Sequence, residues 1–367
     1  MSVLHRLRET RVLICAGAGG VGKTTTSAAL ALGLAARGRR VCVVTIDPAR
    51  RLADALGIDA LGGEPERVDP APFVAAGLDL SGELWAMRLD PKATFDGLVG
   101  RLAPDDEARD RILEHPIYRR LSVAVAGSQE FTAVAKLYDL ARSRRFDVIV
   151  LDTPPSRNAL DFLDAPDRLT AVLEGRGIGS LLSSTGLAAR VAGRGSGLVL
   201  GTLGRLTGID LLRDIQTFVL AFGAVLDGFR ERAAAVSRLL ADETTTFLVI
   251  TSPERDPSEE AIFFARKLRE AEMEFGGLVV GRVTTWPGPG DEAGPEEIVA
   301  ALDGDERLAA KVARTVGELR AVAARDRAQI ARLAAATGDA EPLIVPELAA
   351  LAEDAGGLVA VERALFA

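Results

Sequence analysis

Four residues of this chain are spaced to hold a phosphate. Gly17, Gly22, Lys23 and Thr24 fit the pattern G-x-x-x-x-G-K-[ST] within GAGGVGKTTT. The residue types follow from the chemistry. Backbone N–H groups can curl around an anion only where no Cβ blocks them, so Gly17, Gly19, Gly20 and Gly22, with Val21 and Thr25, are expected to form the cradle. A helix that starts at the lysine turns the positive end of its dipole toward the same anion. Lys23 would reach the outer phosphates, and the Thr24 hydroxyl would be a ligand for Mg²⁺. Two acids complete the set. Asp47 follows a buried-type strand, and Asp152 ends the run Phe146-Asp147-Val148-Ile149-Val150-Leu151-Asp152. An apolar strand that closes on an acid, downstream of such a loop, is the Walker B pattern, in which the acid holds Mg²⁺ through water. Asp47 could orient an attacking water, bind Mg²⁺ through water, or simply cap a helix from Pro48.

These residues need elements to place them. Val12 to Cys15 reads as a strand that breaks into the glycine loop and continues as an Ala/Leu-rich helix ended by Gly38. Val41 to Ile46 is the next strand, so strand, helix and strand make one βαβ unit of a parallel sheet. Asp47 then lies beyond a strand's carboxyl end, where open α/β sheets bind their ligands. Further strands are expected at Leu84–Leu89, Phe247–Thr251, Leu278–Val283 and Pro342–Glu347. Helices are expected over 92–121, from Ser128 to Arg144, from an Asp256 cap, and over 303–336, while 57–82 reads as an irregular connection. Residues 174–208 are studded with glycine and read as mobile. The stripe from Leu211 to Phe229 fits one helix face, either the core of a helical subdomain or a groove for a hydrophobic partner.

Composition sets bounds. Hydrophobic residues make up 48% of the 367, enough for a large core. A net charge of −8 argues against a broad nucleic-acid surface. With Cys15 and Cys42 as the only cysteines, a disulfide framework and a cysteine-based zinc or iron–sulfur site are not expected. No uncharged apolar stretch reaches the roughly 18 residues of a membrane span, and the charged N-terminus has no signal-peptide core, so a cytoplasmic protein is expected.

With these motifs placed, the chain resembles the ArsA/Get3 family of P-loop ATPases. The likeness rests on GAGGVGKTTT (17–26), TIDPARRLADALG (45–57), VIVLDTPPSRNALDFLDAP (148–166), TSPERDPSEEAIFFARKL (251–268) and PLIVPEL (342–348), and its text is closest to bacterial Get3-like members. The resemblance implies an α/β P-loop NTPase fold with a mostly parallel central sheet flanked by helices. It also implies a helical subdomain inserted at about 90–130 and 165–240 of one ATPase domain over 1–367. It further implies ATP and Mg²⁺ as cofactors, Asp47 positioning the attacking water, an adenine contact from Pro346, and a dimer that opens and closes with ATP.

Three departures from the family pattern stand out. The family's loop reads G-K-G-G-V-G-K-T, and its first lysine reaches the partner subunit's nucleotide; here that position is Ala18, leaving Arg50, Arg51 or Arg157 as possible substitutes. Gly281-Arg282 stands where the family has an adenine-reading asparagine. The cysteines of the Get3 zinc clasp and of arsenite pumps are absent, so no zinc or arsenite site is expected. The main reading is therefore a Mg²⁺-dependent ATPase, slowed by Ala18, that works as a nucleotide-switched dimer on a hydrophobic or tail-anchored protein client. The alternative is a low-turnover ATP-bound scaffold, or one subunit of a heterodimer with a lysine-bearing paralogue. A Par/Min-like surface ATPase finds little support, because the C-terminal GGLVAVERALFA is short and weakly basic.

Overall fold

A computed structural model describes residues 3–47, 50–115, 118–119, 129–153, 225, 227–285, 299, 302, 305–339, 341–347 and 354–367. Ser128, Arg157, the glycine-studded 174–208 and most of the stripe from Leu211 lie outside them. In chain order the elements are α1 (Val3–Glu9), β1 (Val12–Ala16), α2 (Lys23–Ala36), β2 (Arg40–Thr45), α3 (Arg51–Leu56), β3 (Glu66–Arg67), α4 (Ala71–Ala75) and β4 (Glu83–Arg88). They continue as α5 (Pro91–Leu102), α6 (Asp106–Glu114), α7 (Gln129–Ser143), β5 (Val148–Asp152) and α8, helical over 227–240. The remainder are β6 (Thr245–Thr251), α9 (Arg255–Glu270), β7 (Phe275–Val283), α10 (Glu306–Thr337), β8 (Leu343–Pro346) and α11 (Ala355–Leu365). Among the described residues, no helix is long and apolar enough to cross a membrane.

The chain divides into two compact units, and the first (Met1–Arg88, Ser143–Ala159, Ala241–Ala367) holds the eight strands found among the described residues. Its sheet runs β3-β4-β2-β5-β1-β6-β7-β8. Every neighbouring pair is parallel except the short β3 against β4. The strand sequences dictate this. VLICA, VIVLD and TTFLVIT are buried along their whole length, which requires cover on both faces and suits parallel pairing. Because β1, β2 and β5 run the same way, their carboxyl ends share one edge of the sheet. The register puts Cys15 and Thr45 on either side of Asp152. β1 is also where the order reverses, since the chain fills β2, β3, β4 and β5 on one side before crossing to β6 on the other. Such switch points open a crevice beyond the strand ends.

The helix after the glycine loop fits its place by being small. Ala28, Ala29, Ala31, Gly33 and Ala35 of α2 are buried, so the sheet packs on one side and α11 on the other. Leu358, Val359, Val361 and Leu365 of α11 are buried with them. Phe366 lies against Gly33, where a Cβ would stand 2.1 Å from the ring's Cε2. Arg37 clamps the same corner, with Nη1 2.7 Å from Glu362 Oε1 and its guanidinium 3.9 Å above the Phe366 ring. The C-terminal GGLVAVERALFA is thus part of the packing around α2.

Several elements differ from the sequence expectation, each for a physical reason. The charged N-terminus forms α1 because Val3 and Leu7 share a face that is buried in the core, and Thr10 Oγ1 bonds Thr246 Oγ1 at 2.8 Å. Residues 57–82 contain β3 and α4, with Phe73 buried as an anchor. Helix α9 starts earlier than the Asp256 cap implies. Glu254 takes the cap position without a side-chain bond, and Asp256 sits in the first turn, where an acid favours the dipole. Helix α10 is capped by Asp305, and its Asp326, only 1% exposed, accepts the Thr284 N–H at 3.1 Å.

The second unit (Leu89–Arg142, Leu160–Leu240) is helical wherever it forms regular structure among the described residues. Phe95 stacks on Tyr118 at 6.0 Å and tilts against Phe229 at 5.5 Å between ring centroids. The Tyr118 hydroxyl donates to Asp96 Oδ1 at 2.8 Å. Val225 and Phe229, the described members of the apolar stripe, are both fully buried and belong to this core.

The contact of Gly33 with Phe366 makes a prediction. Gly33→Ala lowers stability by about 1–3 kcal/mol through overpacking. In the Phe366→Ala background the same change costs much less, so the two are non-additive. Urea unfolding of the four proteins of the cycle checks this, and simple additivity contradicts it.

Candidate nucleotide site

The loop between β1 and α2 takes its shape from two glycines above all. Gly17 has φ +153°, and a Cβ there would stand 1.9 Å from the Ile250 carbonyl oxygen on β6, so no side chain fits. Gly22 occupies the cap position of α2 at φ +89°, a left-handed conformation that glycine adopts without strain. No side chain caps α2. The first N–H groups of a helix lack partners within it, so here they face the loop and are suited to an anion.

Lys23 is 7% exposed and donates from Nζ to the Ala18 carbonyl at 2.8 Å. Burial holds its ammonium below the usual lysine range, and the charge of Arg51 adds to that; Asp152 and Asp47 oppose it. Asp152 is 1% exposed. Its Oδ2 accepts the Thr24 hydroxyl at 2.9 Å and the Thr45 hydroxyl at 3.0 Å, whereas its buried Oδ1 has no hydrogen-bond partner. Burial pushes this carboxyl up to about 6, and the two hydroxyl bonds hold it from rising further. An unpartnered buried carboxylate oxygen is costly unless a cation or proton answers it. Thr24 and Asp152 are hard oxygen donors of the kind Mg²⁺ takes alongside phosphate and water, so these residues fit that ion.

Thr45 is a site residue that motif reading passes over. Its hydroxyl donates to Asp152 and also accepts the Asp47 N–H at 3.2 Å, so one side chain ties the two acids' positions together. The available signal was a threonine closing an otherwise apolar strand, VCVVT. Asp47 does not cap the next helix: α3 begins at Arg51, with Arg50 in the cap position and no side-chain cap. Instead Asp47 Oδ2 lies 3.7 Å from Arg51 Nη1. Below the loop, Thr153 Oγ1 donates to the Cys15 carbonyl at 2.8 Å and joins the ends of β5 and β1. Burial pushes the Cys15 thiol up to about 12, which makes it unreactive.

Loop residues Gly19 and Gly20 are exposed, Thr25 is partly so, and Val21 is buried. Ala18 is also buried, at 8% exposure. Gly281 abuts the loop, since a Cβ on it would lie 3.1 Å from the Val21 carbonyl oxygen. There β7 bulges: register slips between Val280 and Val283, and Arg282 takes φ +57°. Pro346, on β8, pairs with Val283 past this bulge, and β6 and β7 lie between its strand and β1.

A mostly parallel sheet whose central strand leads through a glycine loop into a helix, with lysine, threonine and a strand-end aspartate converging, defines the P-loop NTPase class. The sequence model of the anion-transporting ATPases (ArsA ATPase) matches residues 10–191. The chain is 27% identical over 286 residues to ATPase GET3 of Podospora anserina, covering 78% of this chain and 76% of that protein. It is 32% identical over 166 residues to ATPase GET3 of Malassezia globosa, 45% of each chain. It is 31% identical over 192 residues to ATPase ARSA1 of Chlamydomonas reinhardtii, 45% of this chain and 24% of that protein. The chain thus spans less than half the length of the last two. It belongs to the ArsA/Get3 family of ATPases.

The raised Asp152 carboxyl has a consequence for stability. Between about pH 4 and pH 6 the folded chain keeps a proton that the unfolded chain has lost, so stability falls as pH rises through that window, by about 3 kcal/mol. Asp152→Asn removes this descent. Urea unfolding in chelator at pH 4.5 and pH 7.5 should show the variant gaining on the wild type at the higher pH; parallel profiles contradict the argument. Added Mg²⁺ should then raise the wild type at pH 7.5 and leave the variant unchanged.

Proposed function

We propose that the chain is a Mg²⁺-dependent ATPase that acts as a nucleotide-switched dimer on a protein client with a hydrophobic segment. The observation that carries the ATPase reading is the Asp152 carboxylate, bonded to Thr24 beside the buried Lys23 and left with one oxygen unanswered. In this reading the loop N–H groups and the α2 terminus bind the phosphates. Lys23 moves from the Ala18 carbonyl to the outer phosphates, where a mobile positive charge counts most. Thr24 and Asp152 would hold Mg²⁺, which supplies charge neutralisation on the phosphate oxygens. Asp47, anchored through Thr45, orients the water that attacks the γ-phosphorus as the bond to the bridging oxygen breaks. Pro346 would contact the adenine, as the family resemblance implies, whereas Gly281 offers no side chain to read it.

The client and the dimer come from the family resemblance, and a cytoplasmic location is part of the same reading. The division into two units, with the second at Leu89–Arg142 and Leu160–Leu240, supports an inserted helical subdomain close to 90–130 and 165–240. One observation favours the second reading, a slow or non-hydrolysing scaffold or a mixed dimer with a lysine-bearing paralogue. Ala18 offers no amine to a neighbouring subunit, and its short side chain is buried in its own core.

Turnover of Mg²⁺-ATP by the purified chain, set beside Lys23→Ala, separates the readings. An ATPase loses about a hundredfold or more in the variant, as expected when a charge-stabilising donor is removed. Equal rates in the two proteins, with ATP binding retained by the wild type, leave the scaffold or mixed dimer.

A further inference from the structure

Two arginines stand side by side at the start of α3, and the structure separates them. Arg50 turns away from the loop. Its Nη2 donates to the Asp59 carbonyl, and its Nε lies 3.8 Å from Asp54 Oδ1, so it is engaged along α3 and beyond it. Arg51 turns the other way, with Nη1 3.7 Å from Asp47 Oδ2. After burial, its charge is a lesser cause of the lowered Lys23 ammonium. The Arg51–Asp47 separation is too long for a hydrogen bond, and the Arg51 side chain is 65% exposed. A loosely held guanidinium therefore stands beside the acid that faces the phosphate end of the site. Its planar fork of donors matches two phosphate oxygens at once, which an ammonium cannot do.

We propose that Arg51 is this chain's own γ-phosphate ligand: when ATP binds, its guanidinium leaves Asp47 for the γ-phosphate oxygens, and Asp47 is released to hold water. The proposal rests on the nucleotide-binding reading of the same site and assigns one residue within it. It would give each subunit, in cis, a cation that Ala18 cannot lend to a partner. With ADP there is no γ-phosphate, so Arg51 stays paired with Asp47. Arg51 thereby separates the two nucleotides and couples the state of Asp47 to that difference.

Calorimetric titration of the full chain with Mg²⁺-AMP-PNP and with Mg²⁺-ADP tests this, using wild type, Arg51→Ala, Arg51→Lys and Arg50→Ala. Arg51→Ala should weaken AMP-PNP by about tenfold or more, the loss expected for a charged hydrogen bond, and shift ADP by less than about twofold. Arg51→Lys should fall between, since it keeps the charge and loses the fork. Arg50→Ala should match the wild type. An unchanged preference for AMP-PNP over ADP in Arg51→Ala, an equal loss for both nucleotides, or a larger effect at Arg50 overturns the assignment while nucleotide binding stands. A wild type that binds neither nucleotide overturns the proposed function and this assignment with it. Thermal melts accompany the titrations, and an exposed Arg51 should leave them unmoved.

Discussion

The carboxylate of Asp152 is the constraint on which the rest of the site depends. It is almost fully buried at the end of a central strand, and burial of a charged acid is tolerated only where partners answer it. Two hydroxyls do so from opposite sides, Thr24 from the helix after the loop and Thr45 from the neighbouring strand. The second oxygen is left open. Each bond also locates the group that makes it. Thr24 fixes the first turn of α2 against β5, and Thr45 fixes the start of the segment carrying Asp47. One buried charge therefore aligns the loop, the helix and the second acid.

That alignment works because the scaffold beneath it is rigid. Parallel pairing of β1 with both β5 and β6 fixes the loop's entry. The closeness of Gly17 to the Ile250 carbonyl shows how little space the backbone has there. The small residues of α2 let it sit against the sheet while α11 covers its outer side. A larger side chain anywhere on that buried face would lift the helix, and with it the N–H groups that end at the loop.

What was legible in the sequence was local or periodic. The strand, glycine loop and helix from Val12 to Leu34 can be read because each needs a distinct residue type within a few positions. The continuous apolar runs announce a parallel sheet for the same reason. Thr45 was not legible: its role depends on register with Asp152, a partner 107 positions away. Nor could Arg50 be told from Arg51, since neighbours in sequence point to different surroundings only once a helix fixes their direction. The docking of α1 and α11 is not legible either, because short segments carry a weak periodic signal and tertiary burial decides their fate. The early start of α9 reflects the usual softness of helix ends in sequence.

The charges of the site lean against one another in a way that bears on how it fills. Burial raises Asp152 and lowers Lys23, so the empty site disfavours both charged forms. A phosphate arriving alone would meet Lys23 and Arg51 favourably but also Asp152 and Asp47, which repel it. A divalent cation arriving alone would meet the two acids favourably but also the two cations. Each component removes the repulsion that the other meets. Under the proposed function, a site with this charge layout accepts a nucleotide and a divalent cation together far better than either one separately, which is positive coupling between two ligands. The Lys23 bond to the Ala18 carbonyl fits the same logic, because it gives the buried ammonium a partner in the empty site.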